Sequence, residues 1–184
     1  MPTDSTTTLA NLVRADADRN LSYRGLQRRA QASDIPKLLV DLRFLPVLLV
    51  RLSSVRGPVA LIATLVNRLL FGVEVARQTK IGPGLYFPHT GGIVIGASRI
   101  GADATIYHGV TLGAKTVDFA FTPAQRPALG DGVVIAAGAK VLGGIHIADR
   151  ATVAANAVVV HDVASGDTVG GVPASVLKRA LVHE

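Results

Sequence analysis

Apolar positions follow two different periods along this chain, and the change falls near residue 73. Before it they recur at the three- and four-residue intervals of amphipathic helices. A first helix is predicted over residues 8–20, capped by Ser5 or Thr6 and with Leu9, Leu12 and Val13 on one face. A second is predicted over 36–52, with Pro36 suited to a first turn and Pro46 bending or splitting it. A third covers 58–71, and Gly72 is placed to end it. The uncharged runs here, residues 44–50 and 58–66, are far short of the roughly 20 residues of a membrane span, and Arg51, Arg56 and Arg68 interrupt them. Two readings stay open: core or oligomer-packing helices, and arginine-flanked helices lying on a membrane surface.

From Ile81 the period becomes six. Aliphatic or aromatic residues fall at Ile81, Phe87 and Ile93, then after one extra residue at Ile100, Ile106 and Leu112. The count resumes at Leu129, Ile135, Val141, Ile147, Val153 and Val159. Four positions after these stand Val133, Ala139, Ile145, Ala151, Ala157 and Val163, and a small residue commonly follows the leading aliphatic, as at Gly82, Gly101, Gly113 and Gly130. Such a repeat predicts a parallel β-helix, in which each hexad is a short strand plus a corner and three hexads make a coil. A sandwich or barrel would alternate with period two. Between Leu112 and Leu129 there are 17 steps where six were due, so about 11 residues must leave the coil as a loop at about 115–127. The expected organisation is a helical region over 1–73, the β-helix over 74–174 and a tail over 175–184.

Composition narrows the chemistry. No cysteine is present among the 184 residues, which removes disulfides, thiolate metal sites and a cysteine nucleophile. The formal net charge of +6 favours an anionic partner, yet no Lys/Arg run is interleaved with aromatic residues, so nucleic acid is not expected. Residues 1–8 carry neither a basic nor an apolar signal region, and a cytoplasmic location is expected.

The hexad array, the protruding loop and the segment Gly170-Gly171-Val172-Pro173-Ala174 resemble the hexapeptide-repeat acyltransferases, in particular serine O-acetyltransferases. The stretches His89-Thr90-Gly91-Gly92-Ile93-Val94-Ile95-Gly96, Gly109-Val110-Thr111-Leu112-Gly113 and Ala137-Gly138-Ala139-Lys140-Val141-Leu142-Gly143 carry the likeness. It implies a mainly β protein with a left-handed winding behind an N-terminal helical segment, a homotrimer, active sites between neighbouring prisms, and acetyl-CoA as co-substrate. It also implies that His89 is the general base and that a carboxylate fifteen residues earlier, here Glu74, orients it. Acetyl transfer requires an acceptor hydroxyl to lose its proton as it attacks a thioester, and imidazole titrates near neutrality.

Three departures bear on the acceptor. Pro88 stands where the resemblance implies an acidic residue, Gln125-Arg126 where it implies an Arg-His pair that holds serine, and no terminal isoleucine follows Lys178. The small acceptor is therefore serine or a saccharide. His89 is at the outward-facing third position of its hexad. His108, nineteen residues on, is one coil in phase and should stand about 5 Å away at the backbone, lining the acceptor site. Arg126 is a candidate for gripping the acceptor or the cofactor's phosphates. Ala114, Ala137, Gly138 and Ala155 are expected to line the pantetheine arm, and Lys178 with Arg179 to meet the phosphates. His146 and His161 are assigned no role. No carboxylate or third histidine falls in phase with the His89–His108 pair, so no metal is expected. The competing class is a non-catalytic β-helix scaffold or binding module, and peripheral membrane contact remains an option for the helical region.

Overall fold

The computed structural model describes residues 8–180. The expected caps Ser5 and Thr6, most of the segment read for a signal peptide, and the last four residues lie outside it. Thr8 caps α1 (Leu9–Tyr23), its hydroxyl accepting the Asn11 N–H at 3.3 Å. The second predicted helix is split, as Pro46 suggested, into α2 (Ile35–Leu39) and α3 (Leu45–Ser53), with Pro46 inside the first turn of α3 where its missing N–H costs nothing. The third is α4 (Pro58–Val66) followed by a π-helical turn (Asn67–Phe71), and Gly72 stops it in the left-handed region at φ 62°. Among the described residues no helix is long and apolar enough to cross a membrane.

The rest of the chain coils. The first coil supplies β1 (Val73–Val75) and β2 (Lys80–Ile81); the second supplies β3 (Ile93–Ile95), β4 (Arg99–Ile100) and β5 (Thr105–Ile106). The third carries β6 (Thr111–Gly113), β7 (Ala128–Leu129) and β8 (Val134–Ile135), and the fourth β9 (Lys140–Leu142), β10 (His146–Ile147) and β11 (Thr152–Val153). The fifth carries β12 (Val158–Val159) and β13 (Thr168–Gly171), after which β14 (Ala174–Lys178) folds back antiparallel. Corresponding strands of successive coils pair in parallel, giving three sheets, β1-β3-β6-β9-β12, β2-β4-β7-β10 and β5-β8-β11-β13, the last extended by the antiparallel β14. Three flat faces joined by corners leave a narrow interior, which β-branched and Leu side chains fill in columns. One column stacks Ile95, Leu112, Val141 and Val159, and another stacks Ile106, Ile135 and Val153. All seven side chains are buried.

The register differs from the simple count at one place. Ile95, not Ile93, stacks on Leu112, while Ile93 takes the second inward row beside Val73. The additional residues therefore sit in the turn around His89–Gly92, which bulges beyond the ordinary corner, with Gly91 and Gly92 at φ 107° and 67°. The loop excess is as expected: Leu112 pairs with Val141 and Ile106 with Ile135, each 29 residues on where 18 complete a coil.

The helices are fastened to the first two coils by polar groups. Arg51 donates to both carboxylate oxygens of Asp16 at 2.7 and 2.9 Å and to the carbonyls of Ile81 and Gly82 at 2.8 and 2.6 Å. Asp16 also accepts the Leu85 N–H at 2.9 Å, and both members of the pair are buried. Burial pushes the Asp16 carboxyl above its ordinary 3.8, against the pull of Arg51. Nearby, Tyr23 stacks on Tyr86 with ring centroids 4.2 Å apart, and Arg19 bridges Asp103 and Thr105.

Candidate active site

Where the third sheet hands over to the first, corner residues of successive coils line up. Two positions beyond the Ile106–Ile135–Val153 column come His108, Ala137 and Ala155, and His89 precedes them one coil earlier. Backbone bonds hold this edge together: Gly138 N–H to His108 O at 2.9 Å, Asn156 N–H to Ala137 O at 2.8 Å, and Gly109 N–H to Gly91 O at 2.8 Å. The His89 and His108 rings are exposed, with centroids 6.0 Å apart and planes at 79°. Above them the side chain is only a methyl at Ala137 and Ala155, so the edge runs from two imidazoles into a smooth strip. Beside it Gly92, Gly109 and Gly138 hold left-handed backbone and Asn156 ends the series. A Cβ on Gly138 would collide with the Asn156 carboxamide oxygen, so this position shapes the corner through its lack of a side chain.

Glu74, exposed on β1, belongs to the same end of the first sheet, because Gly72 two residues earlier accepts the Ile93 N–H that closes the His89 turn, at 3.0 Å. Its carboxylate lies 3.7 Å from the Arg68 guanidinium, and no hydrogen bond joins it to His89 among the described residues.

Three of the expected residues stand away from the His89 edge within one chain. Arg126 is turned into its own loop and coil. Its Nε donates to Asp118 Oδ2 at 2.9 Å, Nη1 to Gly96 O at 3.0 Å and Nη2 to Asp118 O at 2.9 Å, while the guanidinium lies 4.1 Å from the Phe121 ring centre. With every nitrogen engaged, it clamps the loop to the coil. Ala114 follows β6 at the opposite edge of the first sheet, where Gly143 N–H bonds Gly113 O at 2.8 Å, so within one chain it cannot share a strip with Ala137. Lys178 pairs with Thr168 at the start of the third sheet, and Arg179 follows it away from the corner. Gly171 and the exposed Val172-Pro173 turn lie over Ala155 instead.

Two residues near the histidines were not singled out from sequence. The Tyr107 ring centroid lies 6.4 Å from that of His89, a placement readable from its position on the same rung as His108. The Lys140 ammonium donates to Gly109 O, beside the column; its register opposite Thr111 was the available signal. Two concavities lie elsewhere: one of about 560 Å³ between α1, α2 and α3, and one of about 200 Å³ between α3 and the first coil. His89 lines neither, so its corner is an open edge with a single wall.

No protein-family model matches the chain. Sequence comparison finds the serine acetyltransferase of Helicobacter pylori (strain J99 / ATCC 700824) 44% identical over 113 residues, 61% of this chain and 64% of that protein. The chain thus spans less than two thirds of the length of that relative. Among solved structures, a serine acetyltransferase in complex with CoA superposes with a TM-score of 0.76 at 28% identity, covering 94% of this chain and 71% of the other. Soybean serine acetyltransferase superposes with a TM-score of 0.75 at 31% identity, covering 92% of this chain and 69% of its own. The chain belongs to the serine acetyltransferase family. Because the superposition takes in nine tenths of the chain, the family likeness includes the helices as well as the coil. Pro88 precedes the histidine, where the resemblance implies an acidic residue, and Arg126 is turned into its own loop.

Proposed function

We propose that the chain is an acetyl-CoA-dependent O-acetyltransferase in which a hydroxyl of a small acceptor attacks the thioester directly and His89 acts as general base. The observation that supports this best is the edge itself: an exposed imidazole in an enlarged turn, continued by methyl-sized residues along which a pantetheine arm can lie. The similar protein solved with CoA adds to it. In the reaction the acceptor oxygen bonds to the acetyl carbonyl carbon as His89 removes its proton. Backbone N–H groups take the charge of the tetrahedral oxygen. The carbon–sulfur bond then breaks, and the imidazolium returns the proton to the leaving thiolate of CoA. No acyl-enzyme forms.

Glu74 is the orienting carboxylate in this reading. It must exchange Arg68 for the imidazole, a small step because exposed ion pairs contribute only about 0–1 kcal/mol. His108 and Tyr107 line the acceptor side. The second wall comes from a neighbouring copy in a left-handed, trimeric arrangement, which would bring the far edge with Ala114 and the loop against the His89 edge. The compartment is the one where acetyl-CoA is made and used, the cytoplasm.

Serine is the acceptor that the names of the relatives print. A second reading, a saccharide hydroxyl, is favoured by the clamping of Arg126 and by Pro88, which leave these two positions no charge for an amino acid's carboxylate or ammonium. Following thiol release from acetyl-CoA across serine, homoserine and a set of sugars decides between them. His89→Ala should lower the best of these rates by at least about 100-fold with an unchanged melting temperature. Full activity in that variant moves the base to His108, and no release with any acceptor leaves a binding scaffold.

A further inference from the structure

The helix α4 is built inside out. Its buried positions hold the small residues Ala60 and Ala63, and the π-helical turn after it buries Asn67, which donates to Pro46 O at 3.0 Å. Its outward positions hold the large aliphatics: Val59, Leu61, Ile62 and Leu65, continued by Leu69 and Leu70 in the π-helical turn, each more than half exposed. A helix packed on a core presents the reverse arrangement. One exposed leucine needs no explanation, but six contiguous aliphatics form a patch that calls for an occupant.

The charge around this strip says what kind. Arg56 stands two residues ahead of α4 and Arg68 near its end, both exposed. Between residues 42 and 73 there is no acidic residue; of the four arginines there Arg51 is buried against Asp16, while Arg43, Arg56 and Arg68 are exposed, Arg68 with Glu74 3.7 Å away. We propose that α4 and the turn after it dock the protein on an anionic lipid surface. The aliphatic strip enters the boundary between headgroups and acyl chains, and the flanking guanidiniums meet the lipid phosphates. Nine helical residues and five in the turn extend about 21 Å, short of the ~30 Å hydrocarbon core, so the segment lies along the surface.

A second copy of the chain is the other occupant, and charge disfavours it. It would have to offer acids to those arginines, yet the exposed acids of the coil have partners within their own chain, Glu74 among them beside Arg68. Asp103 pairs with Arg19, and Asp131 and Asp149 accept the N–H groups of Ala102 and Asp131. Asp162 accepts the His146 N–H.

The test is flotation of the full chain with vesicles of phosphatidylcholine containing about 30% phosphatidylglycerol, against phosphatidylcholine alone. Binding to the anionic vesicles only, weakening as salt rises from about 0.05 to 0.5 M, is expected. The double variant Leu61→Asp/Leu65→Asp should lose at least about tenfold in partitioning, and Arg56→Glu about fivefold. All three residues are exposed, so melting temperature and thiol release should stay at wild-type values in both variants. Failure to float, equal binding to neutral vesicles, or an unimpaired double variant overturns the proposal. So does a lipid-free double variant that sediments as a smaller assembly than the wild type, which gives the face to a second copy.

Discussion

Two imidazoles one rung apart, followed by two methyl groups on the next rungs, give the corner of this coil its chemical polarity: a basic end and a slippery end. The second half of that description is testable on its own. Replacing Ala137 with leucine should raise the Michaelis constant for acetyl-CoA about tenfold or more while leaving that for the acceptor unchanged. Equal constants in variant and parent would remove the strip from the cofactor's path. His89, His108, Ala137 and Ala155 could be placed from sequence because a strict repeat converts position number into a place on a corner. Arg126 could not. Its partners are a carboxylate eight residues back in an irregular loop and a carbonyl on another coil, and neither contact obeys the period. Ala114 could not be assigned to an edge for a related reason, since a small residue in a repeat says nothing about which of three corners it occupies.

Between elements, two of the ion pairs lead to measurable expectations. Asp16 and Arg51 tie α1 and α3 to the first coil with almost no exposure, so removing one partner strands a buried charge. Arg51→Ala should cost about 3–5 kcal/mol, seen as a large fall in melting temperature. A drop of only a degree or two would mean that the surrounding carbonyls and packing hold the helices unaided. The loop is held by Asp118, where burial works to raise the carboxyl and is outweighed by hydrogen bonds from Thr122 and Arg126, leaving it below its ordinary 3.8. A carboxylate depressed in the folded protein stabilises fully above its unfolded value and loses that contribution as pH falls through the folded one. The Thr122 amide, which donates to Asp118 at 2.7 Å, should therefore stay protected from hydrogen exchange at pH about 4 and lose protection only at lower pH. Loss at higher pH would mean that the clamp is not what orders the loop. Proline 46 announced the break between α2 and α3, because a missing N–H is a local fact. The Asp16–Arg51 contact joins residues 35 apart in a segment without a repeat, and nothing local announced it.

At the scale of the molecule the array of hexads was the plainest signal in the chain, down to the 11-residue excess of the loop. Winding sense and copy number are not functions of spacing; only the resemblance implies them, and they stay with the proposal. The one-walled edge at His89 bears on copy number. A reacting pair bound there would face water on one side, so sedimentation should find three times the chain mass, and dilution to single chains should abolish turnover. Fully active single chains would show that the edge needs no neighbour. α4 marks a different limit: its hydrophobic pattern was evident, but whether that face turns inward depends on the small residues Ala60 and Ala63 being chosen for contact.

The chain leaves the coil after β6 and rejoins at β7 without displacing any strand, since Leu112 still meets Val141 and Ile100 still meets Leu129. That excursion is a detachable cassette. Lengthening it or exchanging it for another re-registers no pairing, so the sequence of the excursion is free to drift while the framework beneath keeps its geometry.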